Sequence, residues 1–584
     1  MRTGFVRLAD VGRELGIHID ASLLERLAGL GVLPVYDEDQ ERLVLLSDVH
    51  EIHSVLRAIS TNTNAVSFER PLIRSGRITH LSLPSNLHLE FKNEMVDPGF
   101  CSAIRALLAA HDHEPEPTRE ERTFDYFPGV RVSAGPNAAT LAHKQLERRR
   151  RLVESRASQF ANSAYYMGSK KSLASFIVEA IAPQNPDVVC DLMCGSGAVA
   201  GSCAHFWPTV ASDAQEFCRI LARIQGAGFS SARADQAIET ISTAARRHSA
   251  TLMDLLGTLI EDEDELFHGE ANEELTSKYA RFLASLPTYP SDDVHDRWRP
   301  ALEVRRRRHD HKATPYLLFT AYFASVYFGL RQCVEIDSLR YAIDVALSGE
   351  DREWALGALI AAISGVGTTY AAHFAQPPVR SRQLDSATAL ARVLEARSRS
   401  IFHEFSVRLT SLARESERAK NEVRTIPGPW ESAVATLKAT FDGARVLVYV
   451  DAPYRREEYS RYYHVLETLV RYDYPSAERT GRVPSKRTGE RFSSRFATRR
   501  LADVEEELAS VIRQVISNKW ECVWSYSDAG DASIKRVVQR VQADVTSTVR
   551  SFAAPYRYRG QEGRAQRSVR EYLLLFQPET GHAG

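Results

Sequence analysis

The sequence predicts an α/β core, split by a large helical insertion and preceded by a small unit of helices and a hairpin. Three observations predict it. A buried apolar strand runs into a glycine turn and a helix at 186–202, PDVVCDLMCGSGAVAGS. A second apolar strand, VLVYV, ends on the rigid turn Asp451-Ala452-Pro453-Tyr454. Between these segments, residues 236–440 carry helical periodicity almost throughout. At roughly 100–200 residues per domain, a chain of 584 residues holds two to four domains.

Composition narrows the class. Apolar residues make up 44% and charged residues 26%, as in ordinary globular proteins. No stretch approaches 18 uninterrupted apolar residues, so no membrane span is expected. The N-terminus, MRTGFVRLADVGRELG, is charged throughout and lacks the apolar core of a signal peptide, which points to the cytoplasm. The seven cysteines are scattered, with no CxxC pair, and read as reduced thiols. Both HDH triplets, at 111–113 and 309–311, sit in charged, loop-like sequence, and no metal site is expected. Lys plus Arg total 74 against 75 Asp plus Glu, a net charge of −1 that does not by itself favour a nucleic-acid partner.

In chain order, residues 1–70 read as helix, turn, helix, hairpin and helix. RLADVGRELGI is a short helix, Asp20 caps ASLLERLAGLGVL, YDEDQE turns into RLVLL, and SDVHEIHSVLRAI is a capped third helix. This is a winged-helix-like pattern and it resembles the MerR-like group, which implies a DNA-binding arm; a protein-docking module is the other reading. The acidic wing, with Asp37, Glu38, Asp39 and Glu41, would repel phosphate. Residues 71–154 read as a linker and basic arm, with Pro, Gly and dense charge at 111–129 and four consecutive Arg at 148–151. Residues 155–235 form a strand–turn–helix half-core and 236–440 the insertion, with an acidic tract at 261–274 and Arg at 305–308. Residues 441–578 are the second half-core, closing on EYLLLF.

Gly195 and Gly197 allow the sharp turn after the strand that ends near Asp191, and Cys194 lies within that turn as a packing residue. Asp213, 22 residues after Asp191, ends the next strand and suits the ribose hydroxyls of an adenosine. These features fit a dinucleotide or S-adenosylmethionine equally. YYMGSKKSL at 165–173 and the Asp451–Tyr454 turn go further. A carboxylate at the carboxyl end of a buried strand can accept hydrogen bonds from an exocyclic amino group, the Ala452 carbonyl can take its second proton, and Tyr454 can stack on a base.

In these segments the chain resembles the DNA adenine N6-methyltransferases, the Dam-like group in which the cofactor motifs precede the catalytic D-P-P-Y motif. The matching residues are Tyr166-Met167-Gly168-Ser169-Lys170, Asp191-Leu192-Met193-Cys194-Gly195-Ser196-Gly197, Asp213, and Asp451-Ala452-Pro453-Tyr454. The resemblance covers about 160–235 and 441–577, with family-like inserts at 328–343 and 371–377. Ala452 stands where the family has its first Pro, and Met193 where it has an aromatic; neither departure removes a reacting group.

The resemblance implies a Rossmann-like S-adenosylmethionine-dependent methyltransferase core. It assigns cofactor binding to Tyr166, Lys170, Asp191, Cys194, Gly195, Gly197 and Asp213, and catalysis to Asp451, Ala452, Pro453 and Tyr454. It further implies site-specific methylation of adenine in double-stranded DNA by a prokaryotic, nucleoid-associated enzyme of a restriction–modification or phage-defence system, with a cognate restriction or defence protein as partner. Cytosine N4 methylation and a catalytically silent DNA-binding relative are the alternatives, and Asp rather than Ser at 451 favours adenine. A paired adenine must flip out of the helix to be reached. The loop 478–500 carries eight Lys or Arg against two Glu and suits phosphate contacts, as does the Arg- and Tyr-bearing stretch 550–570. SYSDAG at 525–530 is expected to line the same pocket. Gln332, Arg331, His373 and Gln376 are polar residues of the probable target-recognition insertion to which no base contact is assigned.

Overall fold

The computed structural model describes chiefly residues 4–15, 33–50, 71–80, 169–286, 304–369, 387–478 and 482–579, with short gaps. Near the N-terminus, β1 (Phe5–Arg7), β2 (Tyr36–Glu38) and β3 (Glu41–Leu45) form an antiparallel sheet in the order β1-β3-β2. The β2–β3 hairpin lies where the sequence places a hairpin; β1 is a strand that the helical reading of this unit did not anticipate. A separate hairpin pairs β4 (Pro71–Arg74) with β5 (Arg77–His80), inside the stretch expected to be a linker. The remainder of that linker, including Arg148–Arg151, lies outside the described residues.

The core is a seven-stranded sheet of β6 (Val188–Leu192), β7 (Thr209–Asp213), β8 (Val423–Pro427), β9 (Val446–Val450), β10 (Glu521–Ser527), β11 (Ser547–Arg557) and β12 (Ser568–Pro578). The order is β11-β12-β10-β9-β6-β7-β8. Strands β8, β7, β6, β9 and β10 are parallel, and β12 runs against both of its neighbours. This is a mixed, mostly parallel sheet compatible with a Rossmann-like α/β fold.

The central strands VVCDL and VLVYV are buried along their whole length, as expected of strands covered by helices on both faces. On one face Cys190, Val448 and Trp524 pack against the helices Leu501–Ser517 and Ile534–Asp544. On the other, Val189, Leu447 and Leu573 meet the helix Ala174–Ile181. The period of two along each strand sorts the side chains between these layers.

The insertion is helical as expected, with one correction. Residues 423–427 were read as part of the helical stretch but form β8, parallel to β7 at the sheet edge. The strand is short, has Val423 as its one buried residue and ends on a proline, so it carries no apolar run for periodicity to detect. The insertion's long helix Ser231–Leu256 lies with Leu330–Ala346 and Gly349–Val366 in one large core, where Phe229 stacks on Trp354 at 5.0 Å. Arg340 donates to the carbonyls of Leu469 (2.9 Å) and Val470 (3.1 Å), tying the insertion to the helix His464–Arg471 that follows the turn 451–454.

The N-terminal unit docks on the core. Tyr36 stacks on Tyr572 with centroids 4.8 Å apart, and the Tyr572 hydroxyl donates to the Val35 carbonyl at 2.8 Å. Ser47 and Asp48, expected to cap a helix, instead bind β11: Ser47 donates to the Val549 carbonyl at 2.5 Å, and Asp48 accepts from the Ser551 amide (3.1 Å) and hydroxyl (2.5 Å). Glu38 of the β2–β3 hairpin accepts from the Lys535 amide (3.1 Å) and the Ser533 hydroxyl at the N-terminus of the helix Ile534–Asp544.

Candidate active site

The position of the site follows from the topology. From β6 the chain moves to β7 on one side, while β9 leads to β10 on the other, so the strand order reverses between β6 and β9. Loops at the carboxyl ends of two such strands diverge and leave a crevice. The turn 193–197 and the turn 451–454, separated by about 250 residues of sequence, therefore lie side by side at this crevice.

The first wall is the glycine turn. Met193, Gly195 and Gly197 have φ of 65°, 51° and 74°, in the left-handed region. At Gly197 a Cβ would come within 2.4 Å of the Ala222 Cα, so this glycine serves close packing of the turn on the helix Glu216–Arg223 rather than approach to a ligand. Asp191 accepts from the Ala200 amide at 2.9 Å, and Asp213 accepts from the amides of Gly195 (3.0 Å) and Gln215 (2.9 Å). Burial pushes Asp191 up to about 8, with the neighbouring charge of Asp451 adding to it, and pushes Asp213 up to about 6. Cys194 is buried, its thiol raised well above the ordinary range by burial, and its Sγ lies 3.9 Å from the Cys218 carbonyl; it is a packing residue.

The second wall brings together residues from four segments. Lys170 opens a 3-10 turn, Lys170–Leu173, and its side chain is 7% exposed. Its Nζ lies 3.0 Å from Asp451 Oδ1, 3.6 Å from Glu571 Oε1 and 4.4 Å from the centroid of the Tyr454 ring. Glu571 Oε1 also accepts from the Ser525 hydroxyl at 2.7 Å and from the Tyr454 hydroxyl. The hydroxyls of Tyr454 and Ser525 are 2.9 Å apart. Burial raises Asp451 and Glu571 above the usual carboxylate range, and the Lys170 ammonium pulls both back down. Ala452 is buried. The turn is clasped from outside by Asp531, whose amide donates to the Tyr454 carbonyl (2.9 Å) and whose carboxylate accepts from the Arg456 amide (2.9 Å) and the Arg455 guanidinium (3.1 Å).

The structure thus places Lys170, Asp191, Cys194, Gly195, Gly197, Asp213 and Asp451–Tyr454 around one crevice, with Ser525 of the SYSDAG segment beside them. Tyr166 lies outside the described residues. Tyr454, read as a stacking platform, has the Lys170 ammonium over its ring and Tyr526 tilted at 54° beside it, 4.9 Å between centroids. Glu571 was missed by the sequence reading. It opens the apolar run EYLLLF, and because β12 is reversed, the start of that strand falls at the carboxyl ends of its parallel neighbours.

Several cationic side chains of the Arg run 305–308 and of the loop 478–500 have internal partners. Arg307 holds the carbonyls of Ala313 and Thr314, and Arg308 the carbonyl of Tyr474; 305 and 306 lie outside the described residues. In the loop 478–500, Arg491 grips Asp473 with both terminal nitrogens at 2.7 Å, and Arg495 pairs with Glu431 at 2.6 Å. Arg499 and Arg500 are exposed, and the Arg499 carbonyl accepts from Arg456 at 2.9 Å, which sets this part of the loop next to the turn 451–454. Glu263 of the acidic tract is buried and accepts from the amides of Leu330 (2.8 Å) and Arg331 (3.0 Å). Gln332 caps neighbouring backbone, donating to the carbonyls of Ala396 and Arg399, and Arg331 pairs with Asp264. His373, Gln376 and residues 558–567 lie outside the described residues. Among the described residues, no group of three potential ligands is placed to hold a metal ion, and no helix is long and apolar enough to cross a membrane.

Compared with family models, with curated proteins and with solved structures, the chain matches none.

Proposed function

We propose that this chain transfers a methyl group from S-adenosylmethionine to the N6 amino group of an adenine flipped out of double-stranded DNA. The observation that carries the reading is the convergence of Lys170, Asp451 and Tyr454, from segments far apart in sequence, on the crevice beside the glycine turn.

Charge separates this reading from an NAD site. Among the described residues, three carboxylates, Asp213, Asp451 and Glu571, lie about the crevice with the Lys170 ammonium, while Asp191, pushed up to about 8, keeps its proton near neutral pH. A dinucleotide would bring its pyrophosphate to the amides of the glycine turn. Here the Gly195 and Ala200 amides already donate to Asp213 and Asp191. A sulfonium and an α-ammonium suit this surplus of negative charge; a pyrophosphate does not. The residues present therefore fit S-adenosylmethionine, with Asp213 at the end of β7 as the acceptor for the ribose hydroxyls and buried Asp191 bracing the turn through the Ala200 amide.

When bound, that group supplies a methyl carbon already activated by positive sulfur. The protein's task is orientation and charge stabilisation. Asp451 Oδ2, the oxygen not closest to Lys170, accepts from the adenine amino group, and the Ala452 carbonyl takes its second proton. Both contacts draw the nitrogen lone pair out of conjugation and stabilise positive charge developing on nitrogen. The surplus proton leaves by way of Asp451, whose side chain is 21% exposed. Flipping costs a few kcal/mol, which Tyr454 offsets by contact with the base. Exposed Arg499 and Arg500 next to the turn supply phosphate contacts. A restriction–modification or phage-defence setting in a prokaryotic cytoplasm suits such an enzyme.

The test is transfer of labelled methyl from S-adenosylmethionine to unmethylated genomic DNA, with Asp451→Ala as control. Incorporation by the parent protein that is lost in the variant supports the reading; no incorporation despite bound S-adenosylmethionine rejects it.

A further inference from the structure

One buried carboxylate in the crevice has no role in that chemistry. Glu571 has a side chain only 2% exposed, against 21% for Asp451, so it does not meet the substrate. Burying a carboxylate costs several kcal/mol unless its hydrogen bonds are excellent, and an apolar residue of similar size would serve packing better. Its single Oε1 receives Tyr454 from the turn after β9, Ser525 from β10 and the Lys170 ammonium from the turn before the helix Ala174–Ile181. One oxygen therefore links four elements of the site.

We propose that Glu571 is a positioning residue of this active site, holding the Tyr454 hydroxyl and the flank of Lys170 so that Asp451 keeps an oxygen for the amino group of the base. The inference rests on the methyltransferase reading above. An ammonium has three donors and one charge. Without Glu571, Lys170 would shift towards both carboxylate oxygens of Asp451 and compete with the base. With Glu571 on its other side, Lys170 is shared, 3.0 Å from one carboxylate and 3.6 Å from the other. Tyr454 is fixed at the same time, because its hydroxyl has Glu571 and Ser525 as partners and the ammonium lies over its ring. Strand β12 is itself held rigid. The next residue, Tyr572, points to the opposite face of the sheet, where it stacks on Tyr36 of the N-terminal unit. The charged and titratable groups facing Glu571 and Asp451 are Lys170, Asp191, Tyr449 and Tyr454.

The experiment compares the full-length parent, Glu571→Gln and Glu571→Asp on unmethylated genomic DNA. It measures S-adenosylmethionine affinity, thermal melting, and kcat and KM for DNA across pH. Glu571→Gln is expected to bind S-adenosylmethionine within about threefold of the parent and to lose on the order of 10²-fold in kcat with little change in KM, the pattern of lost transition-state positioning. Its acid limb moves to lower pH, because Asp451 loses a repelling neighbour and gains more of Lys170. Glu571→Asp, which keeps the charge, recovers part of kcat. Unchanged kcat in Glu571→Gln overturns the inference while leaving the methyltransferase reading intact. Loss of melting temperature and S-adenosylmethionine binding in step with kcat overturns it too, in favour of a purely structural role. A parent protein that transfers no methyl group removes the reading and this inference together.

Discussion

Asp451 is the residue on which the proposed chemistry turns, and its surroundings predict how it responds to substitution and pH. Replacing it with Ala removes the acceptor for the amino group, and methyl transfer should fall by about 10²–10³-fold with S-adenosylmethionine still bound. Burial raises its pKa, and only the ionised form can take the proton released from the amino group. Turnover should therefore fall as pH drops through a value above the ordinary carboxylate range, seen as an acid limb in kcat against pH. Asp191 and Asp213 predict a stability effect. Their folded pKa values, about 8 and about 6, lie above the ordinary value of 3.8. The folded state holds these protons more tightly than the unfolded chain. Their contribution is thus present at low pH and lost as pH rises from about 4 towards 8. Melting of the free protein should show this decline, Asp191→Asn should flatten it, and bound S-adenosylmethionine should counter it most at the alkaline end. An Asp191→Asn protein with the parent's pH dependence would refute this account of the crevice.

At the scale of elements, the turn and the docked N-terminal unit make separable predictions. Gly197→Ala places a Cβ 2.4 Å from the Ala222 Cα at a φ of 74°, so it should destabilise by about 1–3 kcal/mol, read as a lower denaturant midpoint. Asp48→Ala leaves the Ser551 amide and hydroxyl without their acceptor and should cost about 1–3 kcal/mol by the same measurement. An unchanged midpoint would mean that the N-terminal unit does not contribute to core stability. What could be read beforehand follows the same division. β6 and β9 were legible because both faces are covered and each is a continuous apolar run ending in a turn with its own chemistry. β8 was not, because an edge strand needs no apolar run. Glu571 was hidden because its meaning depends on the reversal of β12, a property of topology rather than of local sequence. The β2–β3 hairpin was recognised, but its acidic residues gained a purpose only when Glu38 was found at the N-terminus of the helix Ile534–Asp544.

For the whole molecule, the net charge of −1 conceals how charge is spent. Arg307, Arg308, Arg340 and Arg491 hold carbonyls or carboxylates of the helical body, and Glu263 caps a buried helix. The runs of like charge in the sequence thus overstate the free surface charge. The cations left next to the crevice include Arg499 and Arg500 on the loop that touches Arg456. Each phosphate contact contributes about 0.9 to the slope of log affinity against log salt. The double variant Arg499→Ala/Arg500→Ala should therefore lower that slope by about 1–2 in DNA binding across a salt series, with S-adenosylmethionine affinity unchanged. An unaltered slope would place the DNA elsewhere. The central claim is that the crevice between β6 and β9 methylates adenine, and base-resolved sequencing of unmethylated genomic DNA after incubation with the protein and S-adenosylmethionine tests it most directly. The account predicts N6-methyladenine at a defined sequence, abolished by Asp451→Ala; DNA without new modification, or with methyl groups on cytosine alone, would contradict it.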